Sequence, residues 1–236
     1  MKITKMNFCS LLSYNPKGNT TIEAINSRVY LRALKKDNSP TQYNPVIMSE
    51  YIAEEVRKLS PHPPFSTFFK SNTVLVPIPG HAVTREASFW GSKRIAEALH
   101  KQGLGIHVCT CIERLKEILP AHMCKPEDRP DLDTHYNSIA VRPLMIIPEE
   151  ILLIDDIVTS GTIALTCANI LKTMFPHCNI QLFAAMRTMT NPNEFRTIHD
   201  AVAGNITASP CELSLDDFSI NNCNVTRKKY NIIRRP

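Results

Sequence analysis

The stretch EEILLIDDIVTSGTIAL, residues 149–165, decides how the rest of the chain is read. Four apolar residues, Ile151 to Ile154, run straight into Asp155 and Asp156. Thr159-Ser160-Gly161-Thr162 then removes bulk from the turn that follows. A short, unbroken apolar run suits a strand buried on both faces, as strands of parallel sheets are. Ligands of such sheets bind beyond the carboxyl ends of the strands.

Working outward, the same grammar repeats. Thr73 to Ile78, Ile106 to Thr110, Ile151 to Ile154 and Ile180 to Met186 read as strands. Helical patterns at Glu86 to Gln102 and Gly161 to Phe175 lie between them. Short strands alternating with longer helices predict βαβ units: an α/β fold whose parallel sheet is flanked by helices. Upstream, Ile22 to Lys36 and Val46 to Leu59 carry apolar residues near the helical period, which predicts an N-terminal helical extension over residues 1–70. The core is expected at 71–190, and a C-terminal extension with a basic tail at 191–236. Lys116 to Ala140 holds Pro120, Pro126 and Pro130 among mixed charges and reads as a long loop, often a functional feature in a compact domain.

Totals narrow the class. Of 236 residues 43% are hydrophobic and 21% charged, ordinary for a soluble globular chain. No uninterrupted apolar run reaches the roughly 18 residues of a membrane span, and the start is too broken for a signal peptide, so a cytoplasmic protein with no membrane partner is expected. The eight cysteines include no C-x-x-C pair, so a zinc knuckle or disulfide framework is not indicated and reduced thiols are expected. Five basic residues of RKKYNIIRRP account for the net charge of +5, so the excess belongs to a tail and not to the body. That tail can contact nucleic acid, dock on a protein partner, or serve as a disordered solubilising end.

The turn after the acids carries the chemistry. A helix start offers free N–H groups and a positive dipole end, which suits a phosphate. The dipole is worth about 0.3–1 kcal/mol at an exposed site, so hydrogen bonds from N–H groups and hydroxyls must supply most of the attraction. Gly161 is expected to let the backbone approach the anion. The two carboxylates can accept hydrogen bonds from a diol. A diol and a phosphate at this spacing describe a ribose 5-phosphate. The plainer alternative is a capped helix, with Thr159 or Ser160 as N-cap and both acids as turn residues. The P-loop pattern G-x-x-x-x-G-K-[ST] is absent.

On these residues the chain resembles a known family. ILLIDDIVTSGTIAL is similar, over about 13 residues, to the phosphoribosyl diphosphate (PRPP) motif of type I phosphoribosyltransferases. Ser27 to Lys36, Val76-Pro-Ile-Pro79 with Arg85, and Asn137 to Val141 resemble the ComF-like subgroup associated with DNA uptake, although only Cys9 stands where that subgroup has an N-terminal cysteine knuckle. The resemblance implies Asp155 and Asp156 on the ribose hydroxyls and Thr159, Ser160, Gly161 and Thr162 around the 5-phosphate. It implies a diphosphate loop at Pro77 to Arg85, with Gly80 permitting an unusual backbone and Arg85 binding phosphate oxygens; the plainer alternative is a Pro-Gly turn with a solvated arginine. His81 beside it reads as either a general base or a surface residue. The resemblance further implies a hood at the long loop, where Lys125 or Arg129 would neutralise diphosphate, the alternative being a solvated loop of mixed charge.

Mg2+ would be held chiefly through PRPP, with Asp155 and Asp156 as further candidates. Arg187 either faces the same edge as Asp155 or pairs with a helix acid. Two functions stay open. One is a transferase passing ribose 5-phosphate to a nitrogen nucleophile, either as a monomer or a homodimer. The other is a PRPP or nucleotide sensor acting through DNA or a protein partner.

Overall fold

The computed structural model describes residues 3–16, 20–40, 46–84, 89–119, 124–125, 130, 132–143, 147–189, 191–208 and 223–228. In chain order the first elements are β1 (Lys5–Tyr14), α1 (Ile22–Lys36), α2 (Met48–Leu59), β2 (Thr73–Pro77), α3 (Gly91–Lys101), β3 (His107–Val108) and β4 (Ile112–Arg114). Then follow α4 (Leu132–Tyr136), β5 (Ile139–Val141), β6 (Glu150–Val158), α5 (Thr162–Met174), β7 (Asn179–Thr188), β8 (His199–Ala208) and β9 (Cys223–Lys228).

A seven-stranded sheet runs in the order β3-β2-β6-β7-β1-β8-β9. The strands from β3 to β1 are parallel to their neighbours, while β8 and β9 join antiparallel. Helices α1, α2 and α3 cover one face, where Leu75, Leu152, Ile154 and Phe183 are buried. Helix α5 covers the other, over Val74, Val76, Ile151, Leu153 and Leu182. Alternate residues of β2, β6 and β7 therefore enter different cores, which explains why these strands are continuously apolar: both of their faces are covered.

The N-terminal segment is not wholly helical, as the sequence predicted, because Lys5–Tyr14 forms β1 in the interior of the sheet. Within the C-terminal extension expected at 191–236, His199–Ala208 and Cys223–Lys228 form β8 and β9, which complete the same sheet. Polar letters concealed β1. Ser13 is buried and donates its hydroxyl to the Thr197 carbonyl at 2.7 Å, and Ser10 is buried against Arg187. A buried hydroxyl with a partner costs little in a strand.

Helix α3 begins at Gly91, later than Glu86, because Trp90 is extended and its indole N–H donates to the Ile78 carbonyl at 2.8 Å. Close to the start of α3, α1 ends where Asp37 turns into the left-handed region at φ 50° and its N–H bonds back to Leu34. Among the described residues no helix is long and apolar enough to cross a membrane.

Candidate functional site

Strand β6 continues to Val158, so Asp155 and Asp156 lie inside it and not at its end. Side chains alternate across a strand. Asp156 follows Leu152 and Ile154 toward α1 and α3, where Lys35 Nζ meets its Oδ2 at 2.7 Å. A Cβ placed on Gly91, at the start of α3, would stand 3.7 Å from the same oxygen. Asp155 follows Ile151 and Leu153 toward the α5 side and is buried, its Oδ1 accepting the Asp156 N–H at 2.9 Å. The pair therefore does not present two equivalent carboxylates on one side. Burial raises the Asp155 carboxyl well above the usual range; the Asp156 charge raises it further and the Lys35 ammonium opposes both.

Beyond Val158 the turn leads into α5. Gly161 is the N-cap, with φ 79° and no side chain of its own, and Ser160 Oγ accepts the Thr162 N–H at 3.4 Å. The capped-helix alternative named Thr159 or Ser160 as N-cap; that position falls to Gly161, while the Ser160 hydroxyl still takes one N–H of the first turn. Ser160 and Thr162 pair their hydroxyls at 2.9 Å, while Thr159 bonds Thr188 of β7 at 2.8 Å. Thr159 and Ser160 are exposed. Packing requires a glycine here: a Cβ on Gly161 would stand 2.6 Å from Ile206 Cδ1, so the side without bulk lies against β8. Positive φ supplies the second requirement for glycine there.

The 78–84 segment runs alongside. Ile78 N–H donates to the Ile154 carbonyl at 2.9 Å, which places the segment next to the acids. Gly80 has no positive φ, and a Cβ there would meet nothing within 4 Å, so its backbone is ordinary and not unusual. Its carbonyl instead accepts Arg114 Nε at 2.8 Å. Arg114 and Thr84 exchange backbone and hydroxyl bonds at 3.0 and 2.9 Å, and the Arg114 fork also reaches Ser138. His81 is exposed, with its carbonyl accepting the Ile118 N–H at 3.0 Å. Arg85 lies outside the described residues.

The long loop is closed at its base by a two-stranded ladder, with Ile112 opposite Val141 and Arg114 opposite Ile139. Lys125 is exposed, and Arg129 lies outside the described residues. Arg187 pairs with Asp200 at the start of β8, so its partner is a strand acid and not a helix acid. Of the basic tail, Arg227 and Lys228 fall in β9 and the remainder lies outside the described residues.

Two residues of the site escaped the sequence reading. Lys35 reads in the sequence as one more cation on the polar side of α1, and Arg114 drew no reading at all. Neither has a motif; only the tertiary placement of α1 and of the β4–β5 ladder brings them in. The described residues contain no group of three or more His, Cys, Asp or Glu side chains able to hold a metal. No protein-family model matches the chain, and no curated protein matches it.

Proposed function

We propose that this chain is a phosphoribosyltransferase of type I, ComF-like, which binds PRPP at the carboxyl edge of β6 and passes ribose 5-phosphate to a nitrogen nucleophile. The observation that carries this reading is an α5 start whose N-cap, Gly161, has no side chain, with exposed Thr159 and Ser160 beside it, just past the end of the strand that carries Asp156. Free N–H groups in a first helical turn are anion donors awaiting an acceptor. The sequence resemblance of the 151–165 segment supports the same assignment.

In this mechanism the start of α5, with the hydroxyls of Thr159, Ser160 and Thr162, takes the 5-phosphate. Asp156 accepts from a ribose hydroxyl. Asp155, buried beneath it with a raised carboxyl pKa, holds the Asp156 backbone N–H and so fixes where that carboxylate stands. The 78–84 segment, tied down by Arg114, faces the diphosphate, with Gly80 and His81 in that segment and Arg85 adding charge. The C1–O bond breaks with its electron pair leaving on diphosphate. The nitrogen lone pair forms the C1–N bond, and the surplus proton passes to His81 or water. Negative Asp156 also favours the cationic character that develops at the sugar. Lys125 and Arg129 belong to the segment that would exclude water. Mg2+ would neutralise the diphosphate; Asp156 suits it as a single oxygen anchor, with other ligands coming from PRPP and water.

Thermal-shift titration with PRPP, with and without Mg2+, followed by diphosphate-release assays across bases and ammonia, tests the proposal. A shift with release supports it. A shift without release under every acceptor identifies a sensor. No shift, or undiminished binding in Asp156→Asn, overturns the site.

A further inference from the structure

We infer that Lys35 is a ligand-binding residue of this site, which offsets Asp156 so that a phosphorylated sugar polyanion can approach, and which donates to that ligand. Lys35 has this role only if the site takes the PRPP-like ligand proposed above.

Helix α1 does not merely pack on the sheet; its contacts carry it from β8 to β6 along the carboxyl edge of the parallel strands. Near its beginning, Glu23 Oε1 accepts the Ile198 N–H at 3.1 Å and the Thr197 hydroxyl at 3.2 Å. Ser27 Oγ accepts the Asn15 N–H at 3.3 Å, where β1 has just ended. Midway, Tyr30 packs edge-on against His199, ring centroids 5.9 Å apart. At its end, Asp37 accepts the Ser49 N–H and hydroxyl at 2.8 and 3.0 Å, with Arg94 Nη1 3.5 Å away. A helix clamped at both ends fixes the Cα of Lys35, so its reach to Asp156 is set by the framework.

The charges then favour a ligand role. An ion pair exposed on one side contributes little to stability, because water screens it and two side chains lose rotamer freedom. The Lys35 side chain is 55% exposed. An ammonium carries three donors, and the bond to Asp156 uses one. A polyanion arriving at Asp156 meets a like charge unless a cation stands beside it. Lys35 is the cation in contact with that carboxylate, and it remains accessible from solvent. A point charge on a flexible stem suits phosphate oxygens whose direction changes as a leaving group departs.

The test is calorimetric titration of PRPP, with Mg2+, into the wild type, Lys35→Arg, Lys35→Met, Asp156→Asn and Lys35→Met/Asp156→Asn, at two salt concentrations. Hydrogen bonds to charged groups predict that Lys35→Met weakens binding about 10- to 100-fold. Lys35→Arg should keep most of the affinity, and the salt dependence should be shallower in Lys35→Met. In the Asp156→Asn background, loss of Lys35 should cost a smaller factor, because there is no longer a charge to offset. Melting temperatures of all variants serve as the folding control. If the wild type binds PRPP and Lys35→Met binds equally well, the role of Lys35 is overturned and the site stands. If the wild type does not bind, the site falls and Lys35 with it.

Discussion

Ile206 fills the space that a side chain on residue 161 would need: its Cδ1 lies 2.6 Å, and its Cγ2 2.8 Å, from where a Cβ would stand. Gly161→Ala therefore combines strain at positive φ with overpacking against β8. Destabilisation of about 2–4 kcal/mol is expected from the two effects together. Chemical denaturation of Gly161→Ala and of Gly161→Ala/Ile206→Ala separates them. The double variant should recover the packing part but not the strain. No recovery would show that Ile206 is not the obstacle.

Asp155→Asn should stabilise the protein near neutral pH while impairing ligand binding. The folded-state pKa of Asp155 is raised, first by burial and then by the neighbouring Asp156 charge. Such a carboxyl favours the folded state while protonated and loses that advantage as pH climbs from the ordinary carboxyl range through the raised value. Melting curves at pH 4 and pH 8 decide this. The gain from Asn should be near zero at the acid end and largest at the alkaline end. A gain that shrinks with rising pH contradicts the assignment.

Arg187 is almost wholly buried and binds Asp200 by both side chain and carbonyl, with Ser10 as a further partner. Asp200→Ala strands that cation. Because Asp200 is partly exposed, a cost of about 1–3 kcal/mol is expected, below the figure for a fully buried pair. Arg187→Met/Asp200→Ala should cost less than the two single changes added together. Urea titration of the four proteins measures the coupling.

Cys109 should be the fast-reacting thiol. Its hydrogen bond with Cys111 is the main effect and lowers its pKa to about 7, against an opposing contribution from burial. The bond with Cys109, and after it burial, pushes the Cys111 thiol in the opposite direction. Alkylation followed by peptide mass spectrometry should show Cys109 modified first, with a rate that reaches half its plateau near pH 7. Cys111→Ala, which removes the donor to the thiolate, should move that midpoint upward. Equal labelling of Cys109 and the buried Cys167 would refute the prediction.

The βαβ alternation from β2 to β7 was legible because strands buried on both faces advertise themselves as apolar runs, and because Gly103 and Pro176 punctuate the helices. The turn at Thr159 to Thr162 was legible too, though its glycine serves packing against Ile206. Strand β1 was hidden, since Ser10, Ser13 and Asn7 interrupt its pattern and their partners come from residues nearly two hundred positions away. The acidic pair was legible as a pair, but strand alternation, which sends Asp155 and Asp156 to different faces, was not carried past Ile154. Lys35 and Arg114 had no local signal, because a cation becomes part of a site only through what the fold sets beside it.

The position of β1 has a consequence for how the chain comes to be folded. Phe8 pairs with Leu182 on one side and with Gly204 on the other. Synthesis from the N-terminus makes this strand first, yet both neighbours emerge last, so its apolar residues wait while some 170 others are added. Such separation slows folding and leaves an unpaired edge at risk of joining another chain. Removing the first 14 residues would split the sheet between β7 and β8, where trimming a peripheral strand would not.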